Sequence, residues 1–284
     1  MDSESVFTIN NKTHYQPLLQ GTEEHQKDSL MTQILTIKSK SFVTPSMLRI
    51  TFEGDCVQSF EDDFAGAYIK LELTQDGRSF VGSGASQEEQ SLRTYSIRHL
   101  DKAKNQIDVD FVIHGNSIEA GLASYWAQQS EVGDCLSVRG PGSIKTIEPE
   151  AQWCFIVADM TGIPAASTVL ETLKGNLSGY AVFEVNTKED IQNIDAPEGV
   201  EFRWVVKGEG RNLAEEVESL EWKEGKPGVW CATEFSTMRQ LRKYFRNERE
   251  VERDEIYISS YWKQGRTEDQ HKIDKRKDAE EQAK

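Results

Sequence analysis

The chain has 284 residues, 37% hydrophobic and 29% charged, enough for one large domain or two of ordinary size with sizeable cores. Its formal net charge of −15, from 48 acidic against 33 basic residues, excludes non-specific binding to nucleic acid through a cationic surface. No apolar run approaches the roughly 18 residues of a membrane span, and the polar start lacks the basic and apolar parts of a secretory signal, so a cytoplasmic protein without membrane insertion is expected.

Residues 1–31 read as a polar extension with no sustained period. From Thr32 the texture alternates, and strands are predicted over residues 33–38, 47–52 and 68–73, the last ended by the turn Gln75-Asp76-Gly77. Further strands are predicted over 93–98, 106–113 and 135–139, with one helix over 119–129. Together they predict a six-stranded antiparallel β-barrel domain spanning residues 32–147.

After Gly140-Pro141-Gly142 the pattern changes to alternating strands and helices. Residues 153–158 are nearly all apolar, the mark of a parallel strand covered on both faces. Helices over 163–174, 213–220 and 235–248 alternate with strands over 179–186, 201–206, 228–233 and 255–260. This predicts an α/β doubly wound parallel-sheet domain over 148–266, whose ligands sit outside the carboxyl ends of the strands. Residues 267–284 are rich in lysine and glutamate and read as a charged, exposed helix or tail.

Cys56, Cys135, Cys154 and Cys231 lie far apart, without the spacing of a zinc knuckle or an iron–sulfur site. Buried, reduced thiols are expected, no metal ligands are assigned, and any electrons have to arrive through an organic cofactor.

The chemistry concentrates in Arg93-Thr94-Tyr95-Ser96-Ile97-Arg98, followed by Ile113-His114-Gly115 and Gly121-Leu122-Ala123-Ser124-Tyr125-Trp126. Alternation puts Thr94, Ser96 and Arg98 on one face of a strand and Arg93, Tyr95 and Ile97 on the other. The glycine-led turn at Gly121 opens a helix whose first amides can cradle a pyrophosphate.

Arg-x-Tyr-Ser followed by Gly-x-x-Ser resembles the flavin-binding pair of the ferredoxin reductase-like superfamily. The fuller text includes Asp110-Phe111-Val112-Ile113-His114-Gly115, Ala158-Asp159-Met160-Thr161-Gly162-Ile163-Pro164-Ala165 and Tyr261-Trp262-Lys263-Gln264-Gly265. It resembles the siderophore-interacting proteins, FAD-dependent ferric-siderophore reductases of the bacterial cytoplasm. The resemblance implies a two-domain ferredoxin reductase-like fold, with FAD on the barrel and NADH or NADPH on the sheet.

By that analogy Tyr95 stacks on the isoalloxazine, Ser96 reaches its N5 and Arg93 holds phosphate, the planar guanidinium suiting phosphate better than an ammonium. Thr94, Asp110, Val112, Gly121, Ala123 and Ser124 belong to the same motifs and are carried over as cofactor contacts. His114 is either a hydrogen-bonded structural group or a contact of the flavin chain, Arg98 either a second phosphate group or a barrel ion pair. Trp126 is assigned to the core.

For the nicotinamide cofactor, Asp159, Thr161, Pro164 and Ala165 match the family motif, although Gly-x-Gly-x-x-Gly is absent. Thr161 either caps the helix or touches the cofactor. Glu234 either orients the carboxamide or favours a helix dipole. Thr233 stands where relatives carry glycine, which raises the question of hindered nicotinamide approach. Anionic ferric siderophores need a local cationic rim in so acidic a chain, and Lys70, Lys263 and Arg266 are the candidates.

The predicted reaction is electron transfer from NAD(P)H through FAD to a ferric siderophore, in a monomer, with ferredoxin as an alternative donor. Two other readings stay open: a general NAD(P)H-flavin or ferredoxin reductase, and a flavin-bearing siderophore-binding protein without efficient turnover.

Overall fold

The structure is a computed structural model that describes residues 33–82, 90–173, 175 and 177–282. The extension expected over residues 1–31 lies outside them.

Strands β1 (Gln33–Thr44), β2 (Met47–Glu53), β3 (Tyr68–Thr74), β4 (Gln90–Asp101), β5 (Gln106–Val112) and β6 (Cys135–Arg139) close an antiparallel barrel in the order β1-β2-β5-β4-β3-β6. The alternation in the sequence becomes an inside and an outside. Leu35 and Ile37, Ile50 and Phe52, Ile69 and Leu71, Val109 and Phe111, and Leu136 and Val138 all fill the interior. Helix α1 (Leu122–Gln129) closes one end, where Trp126 stacks on Phe52 at 6.3 Å and donates its indole N–H to Ser79 Oγ at 2.9 Å. The helix starts later than expected because Ala120 and Gly121 donate back to Ser117 and Ile118 in turns.

The second layer contains β7 (Trp153–Ala158), α2 (Ile163–Thr172), β8 (Ser178–Val185), β9 (Val200–Val206), α3 (Leu213–Ser219), β10 (Pro227–Glu234), α4 (Phe235–Lys243) and β11 (Ile256–Trp262). Its five strands are parallel in the order β11-β10-β7-β8-β9. Central β7 is buried along its whole length, which is why it reads as an unbroken apolar run. Ile156, Ala158 and Trp230 pack on one side with α2 and the barrel's Met47; Phe155, Val157 and Cys231 pack on the other among Leu213, Val217 and Leu241 of α3 and α4. The helix expected over 235–248 is α-helical to Lys243 and continues as a π-helical turn, Tyr244–Glu248.

Two polar joints fix the barrel against the sheet. Asp190, fully buried after β8, accepts from Thr44 Oγ1 at 2.8 Å, from Ser46 N–H at 2.8 Å and from Ser46 Oγ at 2.9 Å. It also accepts from Thr187 N–H and Oγ1, both at 3.2 Å. The second joint is a two-pronged ion pair between Arg98 of β4 and Glu171 of α2.

Helix α5 (Glu268–Gln282) falls in the tract expected as a charged, exposed helix or tail; most of its residues are exposed, and it also docks on the sheet's last strand. His271 Nε2 and Ser260 Oγ lie 2.8 Å apart, Lys275 Nζ donates to Ser259 Oγ at 3.0 Å, and Asp278 accepts both guanidinium arms of Arg242 at 2.7 and 2.8 Å. Its buried positions, His271 and Asp278, stand two turns apart on one face. That stripe is polar, so hydrophobic periodicity gave no sign of it.

Candidate functional site

Strand β4, which carries the Arg93–Arg98 motif, lies beside the sheet's last strand, β11. Thr94 donates its backbone N–H and its hydroxyl to Glu268, the first residue of helix α5, at 3.3 and 3.0 Å, and Ser96 neighbours the Tyr261 phenol of β11. Tyr261 is bonded in turn to Tyr257, and burial holds both phenols above their usual pKa. Tyr257, Ser259 and Tyr261 alternate along β11, a pattern that could have marked its polar face in the sequence.

Tyr95 points the other way. Its ring sits 4.4 Å from that of Phe111 and packs on the barrel core, so stacking on an isoalloxazine has to use the face turned from Phe111. Burial first, then the nearby Glu268 carboxylate, push its phenol up and keep it neutral. Arg93 donates to the Leu92 carbonyl at 2.8 Å and, among the described residues, has no acidic partner within ion-pair distance. Most of its five donors therefore remain for an anion.

Arg98 departs from the alternation. The ladder with β5 shifts register between Ile97 and His99, and this bulge buries Arg98 next to Ile97 and aims it at Glu171. It is the ion pair of the two readings, joining barrel to sheet rather than lying within the barrel. Asp110 is likewise engaged: its buried carboxylate receives Arg49 Nε and Nη2 at 2.6 and 2.7 Å. Val112 packs against the sheet-side core, and Ala123 is buried in the barrel core.

At the glycine turn, His114 packs so closely on Gly121 that a Cβ there would lie 2.2 Å from its imidazole Cε1. Desolvation lowers the His114 pKa, which keeps the ring neutral. Ser124 Oγ accepts the His114 N–H at 3.1 Å, and no side chain caps α1 at Gly121. The first amides of α1 are thus left for an outside acceptor. Among the described residues, a guanidinium without an acidic partner and a helix start without a side-chain cap fit the pyrophosphate of a flavin dinucleotide.

At the carboxyl edge of the sheet, Asp159 fastens the first strand-to-helix turn. Its Oδ1 accepts Thr161 N–H at 2.9 Å and Thr161 Oγ1 at 2.6 Å, and its Oδ2 accepts the Trp262 indole N–H at 2.8 Å. Burial raises its pKa against the pull of these donors. Thr161 is therefore held by Asp159 rather than capping α2, which has no side-chain cap. Pro164 and Ala165 are buried in the first turn of α2. Gly162 is fixed by packing, since a Cβ would come within 2.4 Å of the Ala232 carbonyl oxygen.

Glu234 accepts from Ser236 and Thr237 amides as the N-cap of α4, and from Gln264 N–H at 3.3 Å, which is the helix-terminal role. Thr233 is fully buried with its hydroxyl turned to the Glu234 carbonyl at 3.2 Å, so its extra side chain does not project into the edge.

Two of the candidate acceptor cations, Lys263 and Arg266, converge on Asp274 of α5, and the third, Lys70, lies on β3. Lys70 stands opposite Thr94 in the β3–β4 ladder, Lys263 Nζ lies 2.8 Å from Asp274 Oδ2, and Arg266 Nε lies 3.4 Å from the same oxygen. The carboxylates Glu268 and Asp274 were missed in the sequence, where they blend into a tract of mixed charge. A groove of about 600 Å³ lined by Phe202, Trp204 and Arg211 runs along β9, at the opposite edge of the sheet from β11. Among the described residues no helix is long and apolar enough to cross a membrane.

A closed antiparallel barrel followed by a parallel sheet of this order, with β4 beside the last sheet strand, is the ferredoxin reductase-like architecture. Within that class the chain belongs to the siderophore-interacting protein family: residues 36–144 match the siderophore-interacting FAD-binding domain and residues 151–265 the siderophore-interacting protein model. The siderophore-interacting protein SipS from Aeromonas hydrophila superposes with a TM-score of 0.79 at 28% identity, covering 88% of this chain and 99% of that one. Ferric vibriobactin reductase ViuB of Vibrio cholerae is 27% identical over 258 residues, 86% of this chain and 94% of that one. An uncharacterized Mycobacterium tuberculosis protein, Rv2895c, is 32% identical over 268 residues, 85% of this chain and 93% of its own.

Proposed function

We propose that this chain is a cytoplasmic ferric-siderophore reductase that carries FAD and takes electrons from NADH or NADPH. The observation that carries the reading is the meeting of Ser96 on β4 with Tyr261 on the last strand of the nucleotide sheet, beside the candidate cations Lys70, Lys263 and Arg266. On this reading electron donor, cofactor and anionic acceptor would have adjoining places. The names of relatives, a ferric vibriobactin reductase and a ferric acinetobactin reductase among them, support it.

FAD, when bound, supplies the conversion between the two electrons of a nicotinamide and the single electron each Fe(III) accepts. The protein supplies position and electrostatics. Arg93 and the first amides of α1 hold the pyrophosphate, and Ser96 offers a hydroxyl on the side facing the nucleotide sheet. Asp159 keeps the β7–α2 turn and Trp262 in place for the dinucleotide. Barrel and sheet are locked by Asp190 and by Arg98–Glu171, so the spacing between donor and acceptor sites is set by the fold. Iron is substrate here: Fe(II) binds hard oxygen donors more weakly than Fe(III), so reduction releases it. The chain is read as a monomer, with ferredoxin as the alternative donor. Placement in the cytoplasm follows from the need for reduced nicotinamide.

The test is anaerobic addition of NADH or NADPH to the FAD-loaded protein. Bleaching of the flavin band is expected with at least one donor, and no bleaching with either contradicts the reading.

A further inference from the structure

The acceptor cations do not stand free. Asp274 holds Lys263 at 2.8 Å and Arg266 at 3.4 Å, and the paired cations keep its carboxyl below the usual range. Six residues earlier on the same helix, Glu268 sits on the Thr94 amide and hydroxyl, next to the strand position of Lys70. The other charged groups at this face are Lys272, which pairs with Glu268 at 3.2 Å, Lys275, bonded to Ser259 and the Ser260 carbonyl, and Glu234, which receives Gln264 N–H. Helix α5 is not laid there loosely, because His271–Ser260 and Arg242–Asp278 anchor it on both sides of Asp274.

We propose that Asp274 determines which acceptors this site takes, by occupying Lys263 and Arg266, two cations that an anionic ferric chelate would need, while Glu268 adds negative charge beside Thr94. The inference rests on the reading of Lys70, Lys263 and Arg266 as the acceptor site. A polyanionic chelate has to compete with a carboxylate already held by the fold, at a local concentration no free ligand matches. A neutral or cationic chelate makes no such demand and meets an acidic neighbourhood. The chain therefore discriminates against polyanionic tris-catecholate complexes of iron and favours neutral or cationic hydroxamate complexes.

The experiment uses the full-length, FAD-loaded protein and compares kcat/KM for a trianionic ferric tris-catecholate with that for a neutral ferric tris-hydroxamate. The dissociation constant of each chelate is read independently from quenching of tryptophan fluorescence. Asp274→Asn keeps the shape of the side chain and frees Lys263 and Arg266; it should raise the anionic-to-neutral ratio about fivefold, the upper range for a partly exposed ion pair. Asp278→Asn is the control, since it loosens α5 through Arg242 without freeing either cation.

An equal rise in Asp278→Asn shows that helix loosening is responsible and overturns the charge argument. Lys263→Gln separates the two levels of the account. If it lowers tris-catecholate turnover while Asp274→Asn leaves the ratio unchanged, the acceptor site stands and the role of Asp274 falls. If neither substitution matters to either chelate, the acceptor-site reading falls, and this inference with it.

Discussion

Removal of the Asp190 carboxylate should separate the two layers more than any single apolar truncation at their contact. One buried carboxylate receives five donors, three of them from the barrel residues Thr44 and Ser46 and two from Thr187 in its own turn. Asp190→Ala strands those donors, and losing one side of a buried charge-assisted network costs about 3 kcal/mol. At about 2–4 °C per kcal/mol for a protein of this size, Tm should fall by about 6–12 °C. Asp190→Asn retains one acceptor oxygen and should lose roughly half as much.

The pH dependence has a definite sign. Burial pushes the Asp190 carboxyl up, but the donors from Thr44, Ser46 and Thr187 outweigh it, and its folded pKa lies below the ordinary value. The stabilisation is therefore complete well above the unfolded value near pH ~4 and is lost as pH falls through the folded one. Urea unfolding of wild type and Asp190→Ala at pH 7 and at stepped acid pH measures this. A difference below about 1 kcal/mol at pH 7, or one that stays constant into acid, would refute the reasoning.

Three other outcomes are expected. Arg93→Ala should weaken FAD binding about 10- to 100-fold, the loss of a charge-assisted phosphate contact, with Arg93→Lys intermediate; flavin fluorescence titration of the apoprotein reads it, and unchanged affinity removes Arg93 from the site. His271, whose pKa burial and then Lys275 pull down to about 4, should loosen α5 as pH falls below its unfolded value; the loss should reach about 2 kcal/mol by pH 5, seen as faster amide exchange in α5 that His271→Gln abolishes. Gly162→Ala needs no unusual backbone, because φ is −88°, yet its Cβ would press on the Ala232 carbonyl. It should cost about 2 kcal/mol by overpacking and weaken dinucleotide binding; thermal unfolding and NADP+ titration check both, and wild-type values in each would contradict the packing argument.

The architecture was legible because its signals are local. Strict alternation in β3 and β5 announced barrel walls, and the apolar run of β7 announced a strand covered on both faces. The segment proposed to hold the flavin stands out for the same reason: Arg93, Tyr95 and Ser96 are neighbours in sequence. What stayed hidden depends on partners far away along the chain. Alternation placed Arg98 with Thr94 and Ser96, and a bulge sent it to Glu171 instead. Asp110 kept its motif position and proved to serve Arg49. The docking of α5 rests on His271, Asp274 and Asp278, charged or polar side chains that no hydrophobic period marks, so a tract that reads as solvated pairs with Lys263 and Arg242. Thr233 was flagged for the side chain it adds, and only the fold shows that side chain turned into the sheet.

The central claim is that the chain passes electrons from a reduced nicotinamide through FAD to chelated Fe(III). Its most direct test is anaerobic stopped-flow mixing of the FAD-loaded, NAD(P)H-bleached protein with a ferric tris-hydroxamate in the presence of a ferrous-specific chromophore. Return of the flavin absorbance with matching appearance of the Fe(II) complex, two equivalents per flavin, is the predicted result. A flavin that stays bleached while Fe(III) remains chelated would contradict the account.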